Sequence, residues 1–285
     1  MREYVLHLRR HMNAREPVFV GKSIVIPGTD DFAYVGNGNH PDEQAHLQAE
    51  EYVRAEEIGA GLYIPQGVED VCLASSPLVR AEETARHMFV GMARAYAERV
   101  LQVSKGDKKN LSEKGLHRKV YVREYEGLNE PRYKNSRGAF DDGNELVAEA
   151  YHKGVNPNFS GYRWMVQKGF EGDTRAEHPQ SITDRALISL LGETILFYDL
   201  TLATSHQPNM EVITAALTGN LGSDANELWE NAGGSYAMGG GFELRVYFDK
   251  SKVNEARLLR TAGNPMILEK ELNVDLAVIN KFLRF

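Results

Sequence analysis

Arg10 sits directly before His11 in the run LRRHM, which sets a guanidinium fork beside an imidazole. Arginine grips phosphate oxygens two at a time, as the point charge of a lysine does not. A second arginine, Arg80, follows the turn Ser75-Ser76-Pro77, and a second histidine, His206, follows the apolar run LTLATS at 200–205. A phosphate monoester resists cleavage because its dianion repels nucleophiles and its alkoxide is a poor leaving group. A catalyst therefore needs positive charge, a nucleophile and a proton donor. The residue types gathered here match that need, with two guanidinium forks for phosphate oxygens and a further donor in His206. Each piece alone is commonplace: a lone Arg-His pair is often solvated, and a helix-start arginine can pair with a nearby acid such as Glu82 or Glu83. Their joint occurrence in a set order carries the information.

The elements that would position these groups can be read from the pattern. Residues 4–9 read as a strand that delivers Arg10 and His11 just past its end. Residues 42–58 read as a helix stopped by Gly59 and Gly61. A short apolar strand at 71–74 then leads through the SSP turn into an amphipathic helix over 78–100. Arg80 falls in its first turn, where the helix N-terminus adds partial positive charge. A polar loop at 104–118 precedes a strand at 119–124. The segment 131–180 is rich in Asn, Gly, Arg, Tyr and Pro with weak periodicity, which predicts an insertion or cap that shapes a substrate pocket. A helix over 180–197, capped by Ser181 or Thr183, feeds a strand at 200–205 that ends at His206. A helix at 209–218, a glycine turn at 239–241, a strand at 242–248 and a last helix at 272–284 complete the chain. Alternating strands and helices predict an α/β three-layer sandwich with a mostly parallel central sheet, a single domain over 1–285 with an insertion at about 131–180. In such sheets ligands lie beyond the carboxyl ends of the strands, the edge expected for Arg10, His11, Arg80 and His206.

Composition narrows the partners. With 285 residues and 42% hydrophobic content the chain can bury a sizeable core. Its net charge of -7 without a dense basic cluster argues against nucleic acid or an anionic membrane surface, so positive charge for an anionic ligand must be local. No apolar run approaches the roughly 18 residues of a membrane span, and the N-terminus reads directly into a strand, so a soluble, cytoplasmic protein is expected. Cys72 is the single cysteine, which excludes an intrachain disulfide. His7, His40, His46, His87, His117, His152 and His178 lack carboxylate partners at metal-ligand spacing, so no metal is expected.

At its chemistry-bearing residues the sequence resembles the histidine phosphatase superfamily, which includes the cofactor-dependent phosphoglycerate mutases. VLHLRRHMNA at 5–14 is similar to the family's opening strand and first-histidine motif, ASSPLVRAEETA at 74–85 to its second-arginine motif, and LATSHQPN at 202–209 to its late strand and second histidine. The resemblance implies that His11 is a nucleophile passing through a phosphohistidine, that Arg10, Arg80 and His206 form the phosphate pocket, and that neither metal nor cofactor takes part. It also implies a carboxylic acid for the leaving group. GLNEPRY at 127–133 resembles the mutase segment and makes Glu130 the best match, with Glu124 and Glu126 as rivals. Arg132 and Tyr133, with Lys134 and Arg137 nearby, either bind a second anionic group of a phosphorylated small-molecule substrate or form a solvated basic loop. Two departures stand out: Met12 replaces the glycine after the first histidine, where a larger side chain is expected to narrow or reshape the pocket, and Gln207-Pro208 follow the second. The implied activity is phosphomonoester hydrolysis; the alternatives are mutase-type phosphoryl transfer and a silent protein that binds phosphorylated ligands.

Overall fold

A computed structural model of the chain describes residues 2–12, 23–25, 32–34, 46–103, 119–129, 131–134, 136–139, 144–154, 157–249, 252–261 and 268–283. Strand β1 (Arg2–Arg10) is buried from Tyr4 through Arg9, as expected of a central strand covered on both faces. A short antiparallel pair, β2 (Ser23–Val25) and β3 (Phe32–Tyr34), precedes helix α1 (Ala49–Ala60). Strand β4 (Asp70–Ser75) leads into the long helix α2 (Val79–Val103), and β5 (Lys119–Glu124) runs to a 3-10 turn at Glu126–Leu128. Helices α3 (Asn144–His152), α4 (Pro157–Phe170) and α5 (Pro179–Leu187) follow, and α5 continues into a π-helical turn, Ile188–Gly192. Then come β6 (Leu200–Ser205), α6 (Asn209–Leu217), α7 (Ala225–Asn231), β7 (Gly241–Asp249), β8 (Lys252–Thr261), β9 (Leu268–Leu272) and α8 (Leu276–Phe282).

The main sheet has the order β5-β4-β6-β1-β7-β8-β9. Its first half is parallel, as the strand-helix alternation predicts. Its second half is antiparallel, so the expected mostly parallel sheet is in fact mixed. The reason lies in the connections: β7 leaves a glycine turn to lie against β1, and β7 and β8 are joined through Asp249 and Lys252, too short a link for the helical crossover that parallel neighbours require. Alternate residues of the strands feed two cores. Tyr4, Leu6 and Leu8 of β1 pack with Leu187, Leu190, Met210 and Phe242, while Val5 packs with Leu47, Ile58, Met88 and Leu200. These are the two helix-sheet interfaces of an α/β three-layer arrangement.

Several predicted boundaries move. The helix expected over 180–197 leaves α-geometry at Leu187, and its N-cap is His178 rather than Ser181 or Thr183. The His178 imidazole accepts from the Gln180 amide at 3.1 Å and Pro179 occupies the first turn, where its missing N–H costs nothing. The final helix is shorter than 272–284, because Leu272 closes β9. The loop expected at 104–118 lies outside the described residues. Segment 131–180 holds α3 and α4, whose small core of Leu146 and Met165 takes in Tyr133, while Val166 packs with Leu228 and Trp229 of α7. Among the described residues no helix is long and apolar enough to cross a membrane.

Helices α1 and α2 meet backbone to backbone. A Cβ at Gly59 would lie 1.8 Å from the Met88 carbonyl oxygen, and one at Gly91 would lie 1.8 Å from that of Glu56. Only glycine permits the contact. Gly91→Ala is expected to force the helices apart and cost about 2 kcal/mol or more, read as a lower urea midpoint at unchanged slope.

Candidate active site

The register of β1 against β6 pairs Arg10 with Ser205, so the residues that follow, His11 and His206, leave adjacent parallel strands side by side. The His11 amide donates to the Ser205 carbonyl at 3.0 Å, and the two imidazole centroids lie 4.8 Å apart. Both rings are buried, His206 almost completely. The His11 Nδ1 is 2.7 Å from the Met12 carbonyl oxygen. A carbonyl can only accept, so Nδ1 carries the proton, and in the neutral ring the lone pair belongs to Nε2.

Burial, with the charge around the pair, keeps it neutral. Burial, then the Arg80 and Arg10 guanidinium groups, lower the His11 pKa to about 3 against the weaker opposing effect of its bond to Met12. Burial, then His11, Arg80 and Arg10, lower that of His206 well below its usual value. The His11 imidazole is thus unprotonated throughout the neutral range. Arg10 donates through Nη1 to the Tyr236 carbonyl at 2.6 Å, and its own backbone is clamped by the glycine turn: its amide donates to the Gly240 oxygen at 2.8 Å and its carbonyl accepts from Gly239 at 3.1 Å. A Cβ at Gly241 would lie 2.1 Å from the Leu8 oxygen, so the turn closes on β1 only as glycine.

Five polar residues outside the expected set tie this region together. Ser76 Oγ lies 2.6 Å from His206 Nε2 and holds that ring's plane. The Thr84 hydroxyl donates to the Arg80 carbonyl at 2.6 Å and accepts from the Met12 amide at 3.1 Å, linking the first turn of α2 to the residue after His11. Asn209 donates through Nδ2 to the Asn129 carbonyl at 2.6 Å, and Ser205 Oγ donates to the Leu128 carbonyl at 2.8 Å. Arg185 completes this anchor, reaching the carbonyls of Gly127 at 2.6 Å and Asn129 at 3.0 Å. Ser76, Thr84 and Asn209 all lie inside the motifs already singled out, but only as turn or helix residues; their partners are distant in sequence. Arg185 gave no signal beyond a polar position on an amphipathic helix.

The remaining expected site residues are placed as follows. Glu130 lies outside the described residues, between the anchored Asn129 and the buried Pro131. Glu124 and Glu126 are exposed. Arg132 is exposed, and its amide donates to Glu177 Oε2 at 2.8 Å. Tyr133 is buried against Leu146 and Met165. The Met12 side chain is wholly buried among Leu47, Ala55 and Ile58, beneath Gly239, on the α1 side of the sheet. The Gln207-Pro208 peptide is cis, and Pro208 stands at the N-cap of α6.

No family model matches the sequence. No curated protein matches it either. Among solved structures the chain is similar to the alpha-ribazole phosphatase from Shigella flexneri, at 20% identity over 92% of this chain and 98% of that one, with a TM-score of 0.44. It is similar to a mycobacterial glucosyl-3-phosphoglycerate phosphatase at 15% identity over 87% and 92%, with a TM-score of 0.44. It is also similar to the phosphoglycerate mutase from Bacillus anthracis at 15% identity over 99% and 98%, with a TM-score of 0.45.

Neutral burial of imidazoles makes stability depend on pH. His7 is also wholly buried, and burial, with a smaller contribution from Arg9, lowers its pKa to about 4. In the unfolded chain His7, His11 and His206 take up protons near pH 6.5, whereas folded they do not, so their contribution is full above that pH and is lost as pH falls below it. Glu211 acts in the opposite sense: burial raises its pKa to about 7, so its contribution is present below pH 4.5 and lost as pH rises to 7. The histidines outnumber it. The urea midpoint is expected to fall as pH is lowered from 7 to 5, and a flat or rising midpoint would contradict neutral burial of the imidazoles.

Proposed function

We propose that this chain is a histidine phosphatase that hydrolyses phosphomonoesters of small molecules without a metal, through a phosphohistidine on His11. The observation that carries the reading is the pairing of His11 and His206 at the ends of β1 and β6, with His11 Nδ1 committed to the Met12 carbonyl and Arg10 and Arg80 acting on both rings. His11 Nε2 attacks phosphorus and the ester P–O bond breaks. Arg10, Arg80 and His206 bind the equatorial oxygens as charge spreads over them. The departing alkoxide takes a proton from the carboxyl of Glu130. Water then attacks the phosphohistidine and gives a proton to the Glu130 carboxylate, releasing inorganic phosphate and restoring the neutral imidazole. Glu130 is assigned this role because its neighbour Asn129 is fastened by Asn209, three residues past His206, and by Arg185. In this reading Arg132 and Tyr133 belong to the wall that meets the alcohol portion of the substrate.

The test is phosphate release from an aryl phosphate and a panel of small phosphomonoesters in the presence of a chelator. Wild type is expected to turn over, His11→Ala to lose at least about a thousandfold in kcat, and Glu130→Gln to lose most on esters with poor leaving groups. Phosphate binding without release of phosphate from any ester would remove hydrolysis and leave transfer between substrate positions or a binding role.

A further inference from the structure

Helix α6 carries one acidic residue in an otherwise apolar or neutral stretch, NMEVITAAL, and that residue, Glu211, is completely buried. A carboxyl group withdrawn from water is costly unless its oxygens are engaged. Glu211 Oε1 accepts from the Tyr236 amide at 3.0 Å and from Gln207 Nε2 at 3.0 Å, while Oε2 is buried with no hydrogen-bond partner among the described residues. Packing alone would favour an apolar side chain here, so the retained carboxyl calls for another task.

Tyr236 shows what that task is. Its hydroxyl pairs with Thr214 Oγ1 at 2.8 Å, one turn beyond Glu211 on α6, and the Arg260 guanidinium lies over its ring at 3.8 Å. Arg260 Nη1 in turn donates to the carbonyls of Ala232 at 2.8 Å and Gly234 at 3.0 Å, which holds the approach to Tyr236. The Tyr236 amide belongs to the Ser235-Tyr236 peptide, whose carbonyl accepts from Arg260 Nη2, and the Tyr236 carbonyl, in the next peptide, meets Arg10 Nη1 at 2.6 Å. Glu211 and Arg260 thus hold the peptide on one side of the Tyr236 Cα, and the carbonyl on its other side receives Arg10.

We propose that Glu211 is a positioning residue for Arg10, acting through the backbone on either side of the Tyr236 Cα to aim the guanidinium at the phosphate. The proposal rests on the phosphate-binding reading of the site. It assigns Glu211 no contact with substrate; the acceptor oxygen is the needed feature, and the negative charge beside Arg10 is secondary. An amide at this position keeps the acceptor, whereas methionine fills the same space without it.

The experiment measures binding of inorganic phosphate by calorimetry, together with kcat and KM on the best ester, for wild type, Glu211→Met, Glu211→Gln and Arg10→Ala, and for Arg10→Ala combined with Glu211→Met. Glu211→Met is expected to weaken phosphate binding about tenfold and to raise KM with a smaller change in kcat. Glu211→Gln is expected to stay near wild type. In the Arg10→Ala background Glu211→Met is expected to add nothing, since a residue that acts through Arg10 has no further effect once Arg10 is gone. If the methionine variant does not fold, Glu211→Ala in the same two backgrounds reads the same quantities. Unchanged phosphate binding in the acceptor-less variant, or an equal loss with and without Arg10, overturns the positioning role alone. Wild type that binds no phosphate, or Arg10→Ala that binds it as wild type does, overturns the reading of the site and the inference with it.

Discussion

The parallel register between β1 and β6 is the constraint on which the rest depends. Setting Arg10 opposite Ser205 brings two histidines from positions 195 residues apart in the chain to neighbouring strand ends, without any contact between their own side chains being required to hold them. A slip of one residue would reverse the faces of every β1 side chain, exchanging Val5 for Tyr4 and Leu6 between the two cores. The burial of both faces therefore fixes the site. The apolar alternation that makes β1 a good central strand is the same property that aims its last two residues.

Given that frame, the electrostatics follow from burial. The chain as a whole is acidic, yet its buried strand ends gather Arg10 and Arg80 around two imidazoles. Water screens little there, so each guanidinium acts strongly on the rings. The protein's net charge is thus a poor guide to the ligand of this edge. The local field is positive, and Glu211, a buried carboxyl near it, accepts from the Tyr236 amide.

How far the sequence was readable varies with how local the cause is. The strands at 71–74, 119–124 and 200–205 and the helix bearing Arg80 were legible because periodicity and turn residues are nearest-neighbour properties. The antiparallel half of the sheet was not, since β8 and β9 carry charged residues through KVNEARLLRT and LEKEL and read as strands only once β7 offers them an edge. His178 as a helix cap escaped notice because serine and threonine are the commoner caps, although Pro179 beside it was a usable sign. The burial of Met12 was not legible for a different reason: adjacency to His11 in the chain says nothing about which side of the sheet its side chain enters. Arg10, His11, Arg80 and His206 stand in short motifs and were named in advance, while Glu211, Thr84 and Arg185 act on partners 25, 72 and 58 residues away and had no local mark.

The Arg185 anchor has a consequence for how such a site changes over time. Glu177 receives the Arg132 amide on one oxygen and pairs with Arg185 Nε at 2.9 Å through the other, and Arg185 in turn holds the carbonyls on the approach to Glu130. In a protein with the proposed chemistry, the wall that greets the departing alcohol and the segment that hands it a proton therefore share the Arg185-Glu177 anchor, with Asn209 giving the second of them a separate hold. A change that widens the wall for a bulkier alcohol also tugs at the donor's mooring. In such a protein, substrate taste and leaving-group chemistry would be inherited together.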